Sequence, residues 1–189
     1  MYNKMKNLIW NFLEKSGLQV RFLFPRPSIK FIERNLKGRL IGVEIGTYKA
    51  LNAKSLLKTL KPQRLYLVDP YTFYDKNDSS SFGLKKVETQ AQKILIHYKN
   101  AIFIKETSEK AVSLIPNNLD FVYIDGNHNY EFVKKDISLY YKKLRKGGIL
   151  AGHDFDCTFP GVIRAVSEFC VKNKINFFVS HIDWWFVKK

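Results

Sequence analysis

Residues 39–69 read RLIGVEIGTYKALNAKSLLKTLKPQRLYLVD, and this stretch decides the fold class. The apolar run at residues 39–45 has the length and composition of a buried strand. Apolar residues then recur at helical spacing until Pro62, and a second apolar run follows at residues 64–69. A strand, a helix and a strand in this order form one βαβ unit, in which the two strands are parallel.

The same alternation continues towards the carboxyl terminus. It predicts further strands at residues 101–105, 120–125 and 149–151, with segments of helical period between them. The Gly-Gly pair at residues 147–148 is typical of a helix end, so we expect the helix before the last of these strands to stop there.

Two closing strands are predicted at residues 176–180 and 184–188. The connection between them is too short for a parallel crossover, which takes about a dozen residues, so they must pair antiparallel. The sequence therefore predicts an α/β fold with a Rossmann-like, doubly wound, mostly parallel seven-stranded sheet and an antiparallel edge strand. In such a sheet the ligand crevice lies at the carboxyl ends of the central strands.

The composition is that of a soluble globular protein. Of the 189 residues, 46% are hydrophobic and 26% are charged, which excludes the disordered, collagen-like and membrane-spanning classes. The net charge of +15 predicts a surface that attracts anionic partners such as phosphate or nucleic acid. The lysines are spread over every predicted helix, however, and we favour a compositional drift of the source genome as the explanation.

The amino-terminal segment differs from the rest of the chain. Residues 1–36 carry an amphipathic pattern around Leu8, Ile9 and Phe12, and we expect this helical extension to pack on the core or to dimerise, which would give a homo-oligomer. We expect neither a signal peptide nor a membrane span. Two cysteines without a Cys-x-x-Cys spacing predict a cytoplasmic protein.

A turn of distinctive composition follows the first strand. In Glu44-Ile-Gly-Thr-Tyr-Lys-Ala50 the glycine lets backbone approach a ligand, although a glycine after a strand is also typical of a plain turn. No second glycine follows at Gly-x-Gly spacing, so a ligand with an amine and a carboxylate fits better than a pyrophosphate. Asp69 closes the second strand, where a carboxylate can bind the two hydroxyls of a ribose; a helix cap or a solvated loop end is the alternative.

Two segments of the second half are more specific. They read Ile124-Asp-Gly-Asn-His-Asn-Tyr130 and Lys146-Gly-Gly-Ile-Leu-Ala-Gly-His-Asp-Phe155. With them the chain resembles the class I S-adenosylmethionine-dependent methyltransferases, in the subgroup marked by I-D-G-x-H-x-Y after the fourth strand and G-G-x-x-x-x-H-D after the fifth. The resemblance covers residues 40–170 approximately, and it implies that residues 37–189 form an S-adenosylmethionine-binding methyltransferase domain.

The resemblance implies a cofactor site along the strand ends. Its predicted residues are Glu44, Gly46, Thr47, Tyr48, Asp69, Ser108 and Asp125. The turn at Gly46 would hold the methionine end of the cofactor, Asp69 the ribose, and Ser108 would lie near the adenine. The family usually has a second glycine four residues after the first, and Ala50 stands there in this chain, so the approach of backbone to the cofactor is expected to be altered.

Asp125, His153 and Asp154 are predicted to hold a divalent metal ion. Strands four and five are expected to be neighbours, so their carboxyl ends would bring the three side chains to one point. Two carboxylates and an imidazole suit Mg²⁺, Mn²⁺ or Fe²⁺, and the oxygen-rich set favours Mg²⁺. This set resembles that of the metal-dependent small-molecule O-methyltransferases. In the alternative, His153 and Asp154 only hydrogen-bond to loop backbone.

His128 and Asp125 are the predicted catalytic residues. His128 would face the same crevice, and the ordinary imidazole pKa of about 6.5 suits it to take a proton from a hydroxyl. The predicted reaction is therefore methyl transfer from S-adenosylmethionine to a hydroxyl of a small molecule, by analogy a sugar or glycan intermediate.

Three other functions compete with this prediction. An RNA methyltransferase would use the positive surface, but no RNA-binding module is appended and the basic residues do not cluster, so a nucleic-acid partner ranks lower. An S-adenosylmethionine-binding protein without methyl transfer would agree with Ala50. A nicotinamide dehydrogenase shares the sheet, but the absence of Gly-x-Gly-x-x-Gly argues against it.

Overall fold

A computed structural model of the chain describes residues 25–72 and 83–189. The amphipathic pattern around Leu8 lies outside these residues. In chain order the helices and strands are α1 (Pro27–Asn35), β1 (Ile41–Ile45), α2 (Leu51–Leu60), β2 (Arg64–Val68), α3 (Leu84–Leu95), β3 (Ala101–Ile104), α4 (Ser108–Ala111), a 3-10 helix (Val112–Leu114), β4 (Leu119–Ile124), α5 (Tyr130–Lys143), β5 (Leu144–Gly152), α6 (Pro160–Lys172), β6 (Phe177–Ser180) and β7 (Asp183–Val187).

The seven strands form one sheet in the order β3-β2-β1-β4-β5-β7-β6. The first five strands of the chain are parallel to one another, and β7 runs antiparallel to both β5 and β6. This confirms the predicted fold class and the antiparallel pairing of the two closing strands. The reversed strand β7 lies second from the edge, with β6 outside it.

Helices cover both faces of the sheet because successive side chains of a strand point to opposite sides. On β1, Val43 joins the buried cluster that also contains residues of α4, α5 and α6. On β2, Leu65 and Leu67 join a second buried cluster with residues of α1, α2 and α3. The sheet is therefore doubly wound, and its free carboxyl ends remain as the place for a ligand.

The boundary between α5 and β5 corrects one prediction. The helix ends at Lys143, and β5 runs from Leu144 through the glycine pair instead of beginning after it. Gly147 has a φ of +73°, and a Cβ on Gly148 would lie 3.0 Å from the Asp120 carbonyl oxygen of β4. Gly148 therefore allows a close approach to β4, Gly147 supplies a left-handed backbone angle, and both lie where the register with β4 shifts, so pairing with β4 overrides the local signal for a helix end.

Helix α1 packs on the core. Ile29 and Ile32 are fully buried in the cluster shared with α2 and α3. The amide of Ser28 donates a hydrogen bond to Asp183 Oδ2 at 3.1 Å, which ties the start of the helix to β7. The described part of the amino-terminal segment is thus attached to the domain, while the predicted boundary after residue 36 stays a prediction. Among the described residues, no helix is long and apolar enough to cross a membrane.

Candidate active site

The predicted site residues follow paired positions at the carboxyl ends of four strands. Ile45 of β1 pairs with Val68 of β2 and with Ile124 of β4, and Ile124 pairs with Gly152 of β5. The next residues in each strand are Gly46, Asp69, Asp125 and His153. The parallel register therefore brings these four positions to one edge of the sheet, as the sequence predicts.

Gly46 lets the end of β1 touch the end of β4. A Cβ at this position would lie 2.1 Å from the carbonyl oxygen of Asp125, and the φ of Gly46 is +86°. The amide of Asp125 also donates a hydrogen bond to the carbonyl of Ile45 at 2.8 Å. Because neither the space nor the backbone angle tolerates a side chain, glycine is required here.

Glu44 lies buried beneath this turn. Its Oε1 accepts a hydrogen bond from Asn52 Nδ2 at 2.8 Å, whereas Oε2 and the buried Oγ1 of Thr47 have no hydrogen-bond partner among the described residues. Burial raises the pKa of Glu44 to about 8, although the bond from Asn52 opposes the rise. Buried polar atoms without partners are rare, so these two oxygens fit a ligand that donates hydrogen bonds.

Asp69 is held by backbone. Its Oδ2 accepts from the amide of Tyr48 at 2.8 Å and its Oδ1 from the amide of Tyr71 at 2.9 Å. Burial raises the pKa of Asp69, and the backbone donors counteract this effect. The backbone of Thr47 is a third donor to this carboxylate, which therefore shapes the turn, and its binding of a ribose stays a prediction.

Ala50 takes the conformation that the family's usual glycine would adopt without cost. Its φ is 57°, in the left-handed region, and the residue is fully buried at the start of α2. A non-glycine residue in this region costs about 1–2 kcal/mol. The turn therefore holds a non-glycine residue in a left-handed conformation at a cost in stability, and an altered approach of backbone to the cofactor stays a prediction.

Ser108 is fixed to α5. Its hydroxyl donates to Asp136 Oδ1 at 2.5 Å, and its carbonyl accepts from the hydroxyl of Tyr140 at 2.9 Å. Burial raises the pKa of Asp136 to about 7, although the bond from Ser108 opposes it. Since β3 neighbours β2, Ser108 lies on the Asp69 side of the crevice. Its predicted position near an adenine stays a prediction.

The three predicted metal-binding residues lie together. Each of Asp125, His153 and Asp154 offers a donor atom, and these atoms lie within 4.8 Å of one another. His153 Nδ1 is 2.8 Å from Asp154 Oδ1 and 3.9 Å from Asp125 Oδ1. Two carboxylates and one imidazole at this spacing fit a divalent cation by donor type.

His128 joins the same group through Asp154. Its Nε2 lies 2.9 Å from Asp154 Oδ2, and its ring stacks on Phe159 with 4.1 Å between the ring centroids. Burial by itself would raise the pKa of Asp154, but the hydrogen bonds and charges of His128 and His153 lower it well below its usual value. Asp154 is therefore an ionised carboxylate between two imidazoles.

Sequence reasoning missed two residues of this site. Arg26 donates from Nη1 to Asp125 Oδ2 at 2.7 Å and to the hydroxyl of Tyr123 at 3.1 Å. Asp183, at the start of β7, has its Oδ1 3.8 Å from His153 Nε2. Arg26 belongs to the amino-terminal segment and Asp183 to the returning strand, and neither stands in a recognisable motif, so only the folded chain brings them here.

Sequence comparison identifies a family. Residues 43–155 match the family model described as a methyltransferase domain. A curated relative, the uncharacterized protein R132 of Acanthamoeba polyphaga mimivirus, is 32% identical over 124 residues, which are 63% of this chain and 53% of the relative. The chain therefore spans about half the length of that relative.

Solved structures of methyltransferases share the fold. The O-methyltransferase NovP has a TM-score of 0.65 at 16% identity, covering 92% of this chain and 81% of NovP. An rRNA methylase from Streptococcus thermophilus has a TM-score of 0.63 at 14% identity (87% and 96% covered). SMU.1697c from Streptococcus mutans, solved with SAH, has a TM-score of 0.66 at 13% identity (88% and 99% covered). With more than half of its length matched by the methyltransferase-domain family, the chain belongs to the class I S-adenosylmethionine-dependent methyltransferases.

Proposed function

We propose that this protein transfers the methyl group of S-adenosylmethionine to a hydroxyl of a small molecule, assisted by a divalent cation at Asp125, His153 and Asp154. The observation that carries the proposal is the spacing of these three side chains, whose donor atoms lie within 4.8 Å of one another beside the Gly46 turn. NovP, an O-methyltransferase by its name, has the same fold. A sugar or glycan intermediate is the acceptor class to test first.

The chain's own residues would position the reactants and receive a proton. Methyl transfer needs an oxygen held close to the methyl carbon and in line with the bond that breaks, and most of the rate comes from that alignment. A bound divalent cation would lower the pKa of the acceptor hydroxyl. The imidazole of His128 would take the proton, and its new positive charge would lie 2.9 Å from Asp154 Oδ2. An ionised Asp154 stabilises that imidazolium.

On the cofactor side, the proposal uses the buried atoms beneath the turn. Glu44 Oε2 and Thr47 Oγ1, which have no partner among the described residues, would receive the hydrogen-bond donors of the methionine end. Asp69 would accept from the ribose.

A cytoplasmic location remains a prediction, in agreement with Cys157 and Cys170, both of which are free thiols.

One assay tests the reaction, the base and the metal together. It measures S-adenosylhomocysteine formed from S-adenosylmethionine with a panel of sugars and phenols, with Mg²⁺ or with a chelator. We expect the chelator and Asp154→Asn each to reduce turnover strongly. His128→Ala should reduce turnover by about a hundredfold, the usual contribution of a general base, while the affinity for S-adenosylmethionine changes little.

Matched variants separate these effects from loss of structure. Asp156→Asn removes the same charge from the loop that holds Asp154, and His97→Ala removes an exposed histidine outside the site, so both should keep the wild-type turnover. Undiminished turnover in the chelator would remove the cation from the proposal, and undiminished turnover in His128→Ala would remove the base.

A second candidate function is methylation of RNA. The net charge of +15 favours it, and the rRNA methylase from Streptococcus thermophilus has the same fold. Neutralising phosphates releases counterions, so turnover on RNA would fall steeply with salt, whereas turnover on an uncharged sugar would not. Retained cofactor binding without turnover on any acceptor would instead favour a cofactor-binding protein.

A further inference from the structure

The site is rich in carboxylates and has one permanent cation in contact with them. Its acidic residues are Glu44, Asp69, Asp125, Asp154 and Asp183. Among the described residues, Arg26 is the one arginine or lysine that forms an ion pair with any of these five, through Asp125 Oδ2 at 2.7 Å. An anionic group of a ligand would be repelled along this edge except where Arg26 compensates the negative charge.

The guanidinium of Arg26 is only partly used. Its hydrogen bonds to described residues leave from Nη1, to Asp125 and to the hydroxyl of Tyr123, while the group lies over the Tyr123 ring at 5.7 Å. The side chain is 22% exposed. A guanidinium carries five donors in one plane, so the edge formed by Nε and Nη2 has three N–H groups without a partner among the described residues, in the geometry that binds a planar oxyanion.

Arg26 lies beside the turn of the cofactor site. Its partner Asp125 directly adjoins Gly46, where an added Cβ would meet the Asp125 carbonyl oxygen at 2.1 Å. Burial is the main cause of the raised pKa of Glu44, but the charge of Asp125 adds to the rise and that of Arg26 opposes it, so all three groups share one neighbourhood. An acid and a guanidinium therefore both lie near the turn.

The amino acid end of S-adenosylmethionine has matching chemistry, with an ammonium and a carboxylate on one carbon. Glu44 suits the ammonium, and a carboxylate between Glu44 and Asp125 needs a cation. We propose that the Nε and Nη2 edge of Arg26 binds the carboxylate of the methionine moiety of S-adenosylmethionine.

The start of α1 is anchored well enough to hold Arg26 in this role. The amide of Ser28 donates to Asp183 Oδ2 at 3.1 Å, and the Ser28 hydroxyl donates to the same oxygen. The next residue, Ile29, is fully buried. The amino-terminal segment then supplies part of the cofactor site, and Arg26 connects cofactor binding to the position of Asp125.

The test compares two ligands that differ in the carboxylate alone. Isothermal calorimetry measures the Kd of S-adenosylmethionine and of decarboxylated S-adenosylmethionine, which keeps the sulfonium and the amine. We expect wild type to prefer the carboxylated ligand by roughly ten- to a hundredfold, the range of a charge-assisted hydrogen-bonded pair. Arg26→Gln should lose that preference by weakening S-adenosylmethionine alone, since glutamine can still donate to Asp125.

Two further variants complete the test. Lys49→Gln removes an exposed cation from the same turn and should keep the preference. Arg26→Lys keeps the charge but not the paired N–H groups of the guanidinium, so its preference for the carboxylated ligand should be intermediate. It replaces Arg26→Gln if that variant fails to fold. Equal affinities in wild type, or an equal weakening of both ligands in the Arg26 variants, would overturn the proposal. Neither ligand reports on the hydroxyl acceptor or the cation, so failure of the proposed reaction would leave these affinities unchanged.

Discussion

The two halves of the crevice hold their carboxylates in different ways. On the β1–β2 side, Glu44 accepts from the amide of Asn52, and Asp69 accepts from two backbone amides. On the β4–β5 side, Asp125 pairs with Arg26 and Asp154 lies between two imidazoles. Neutral donors therefore surround the first pair of acids, and charged or ionisable partners surround the second.

This difference indicates that the two halves of the crevice have different roles. Burial raises the pKa of Glu44 and Asp69 because it destabilises their charged forms, and a cationic or hydrogen-bond-donating ligand placed against them would offset that effect. The imidazoles keep Asp154 ionised, so that half can exchange protons or a cation without rearranging backbone. We therefore propose that the first half fits the cofactor, while the partners of Asp154 let the second half respond to charge.

The largest expected effect comes from Gly46→Ala, which alters the backbone turn on the β1–β2 side of the crevice. The new Cβ would lie 2.1 Å from the Asp125 carbonyl oxygen, at a φ of +86°, so the ends of β1 and β4 must separate. We expect a loss of unfolding free energy on the order of 3 kcal/mol, typical of severe overpacking. Binding of S-adenosylhomocysteine should be lost. Urea denaturation and calorimetry measure the two effects.

Gly38→Ala is the matched control for backbone strain. Gly38 has a φ of +92° but nothing within 4 Å of an added Cβ. Its substitution should cost only about 1–2 kcal/mol, the price of a side chain in the left-handed region, and should leave cofactor affinity intact. If both variants behaved alike, the contact between Gly46 and Asp125 would have no special role in the site.

A smaller effect is expected from Glu44→Gln, and it should depend on pH. The pKa of Glu44 rises from 4.5 to about 8 in the folded chain, so the folded state keeps a proton that the unfolded state releases. The wild type therefore loses stability as the pH rises from about 4.5 through 8, by up to a few kcal/mol. Glutamine cannot ionise, so the variant should be the more stable protein at pH 9. Urea denaturation between pH 4 and pH 9 measures this.

On the β4–β5 side, the contribution of Asp154 to stability should depend on pH in the opposite direction. The pKa of Asp154 is lowered, so its contribution is present above the usual carboxylate pKa and is lost as the pH falls through the folded value. For the Glu44→Gln experiment, Glu33→Gln is the control for the change in net charge, because it removes an exposed carboxylate from α1. Parallel pH profiles for wild type and Glu44→Gln would contradict the difference between the two halves.

The parts of this site that the sequence predicts are those that a strand end fixes locally. Gly46, Asp69, Asp125 and His153 each follow a short apolar run, and parallel pairing brings such positions together whatever the details of packing. The same regularity predicts the order of strands and helices. It does not predict where β5 begins, because pairing with β4 outweighs the local preference of a glycine pair.

The parts that the sequence does not predict depend on contacts between distant segments. Arg26 and Asp125 are separated by 99 positions, and Ser28 and Asp183 by 155. Neither pair has a periodic pattern or a motif, since each requires α1 to cross the sheet near β7. Charge compensation in the crevice is therefore a property of the tertiary fold.

The smallest expected effect tests whether side-chain contacts alone order the second half. Phe159→Leu removes the ring that stacks on His128 at 4.1 Å but leaves the imidazole 2.9 Å from Asp154. It should cost about 1 kcal/mol of unfolding free energy and increase the motion of the His128 ring, seen in the NMR relaxation of its ring carbons. Phe169→Leu, which removes a ring from α6, the helix that follows Phe159, should cost a similar amount without that motion. The proposed cofactor site lies in the β1–β2 half, so S-adenosylhomocysteine affinity should stay the same in both variants. A fall in Phe159→Leu alone would show that the two halves are coupled.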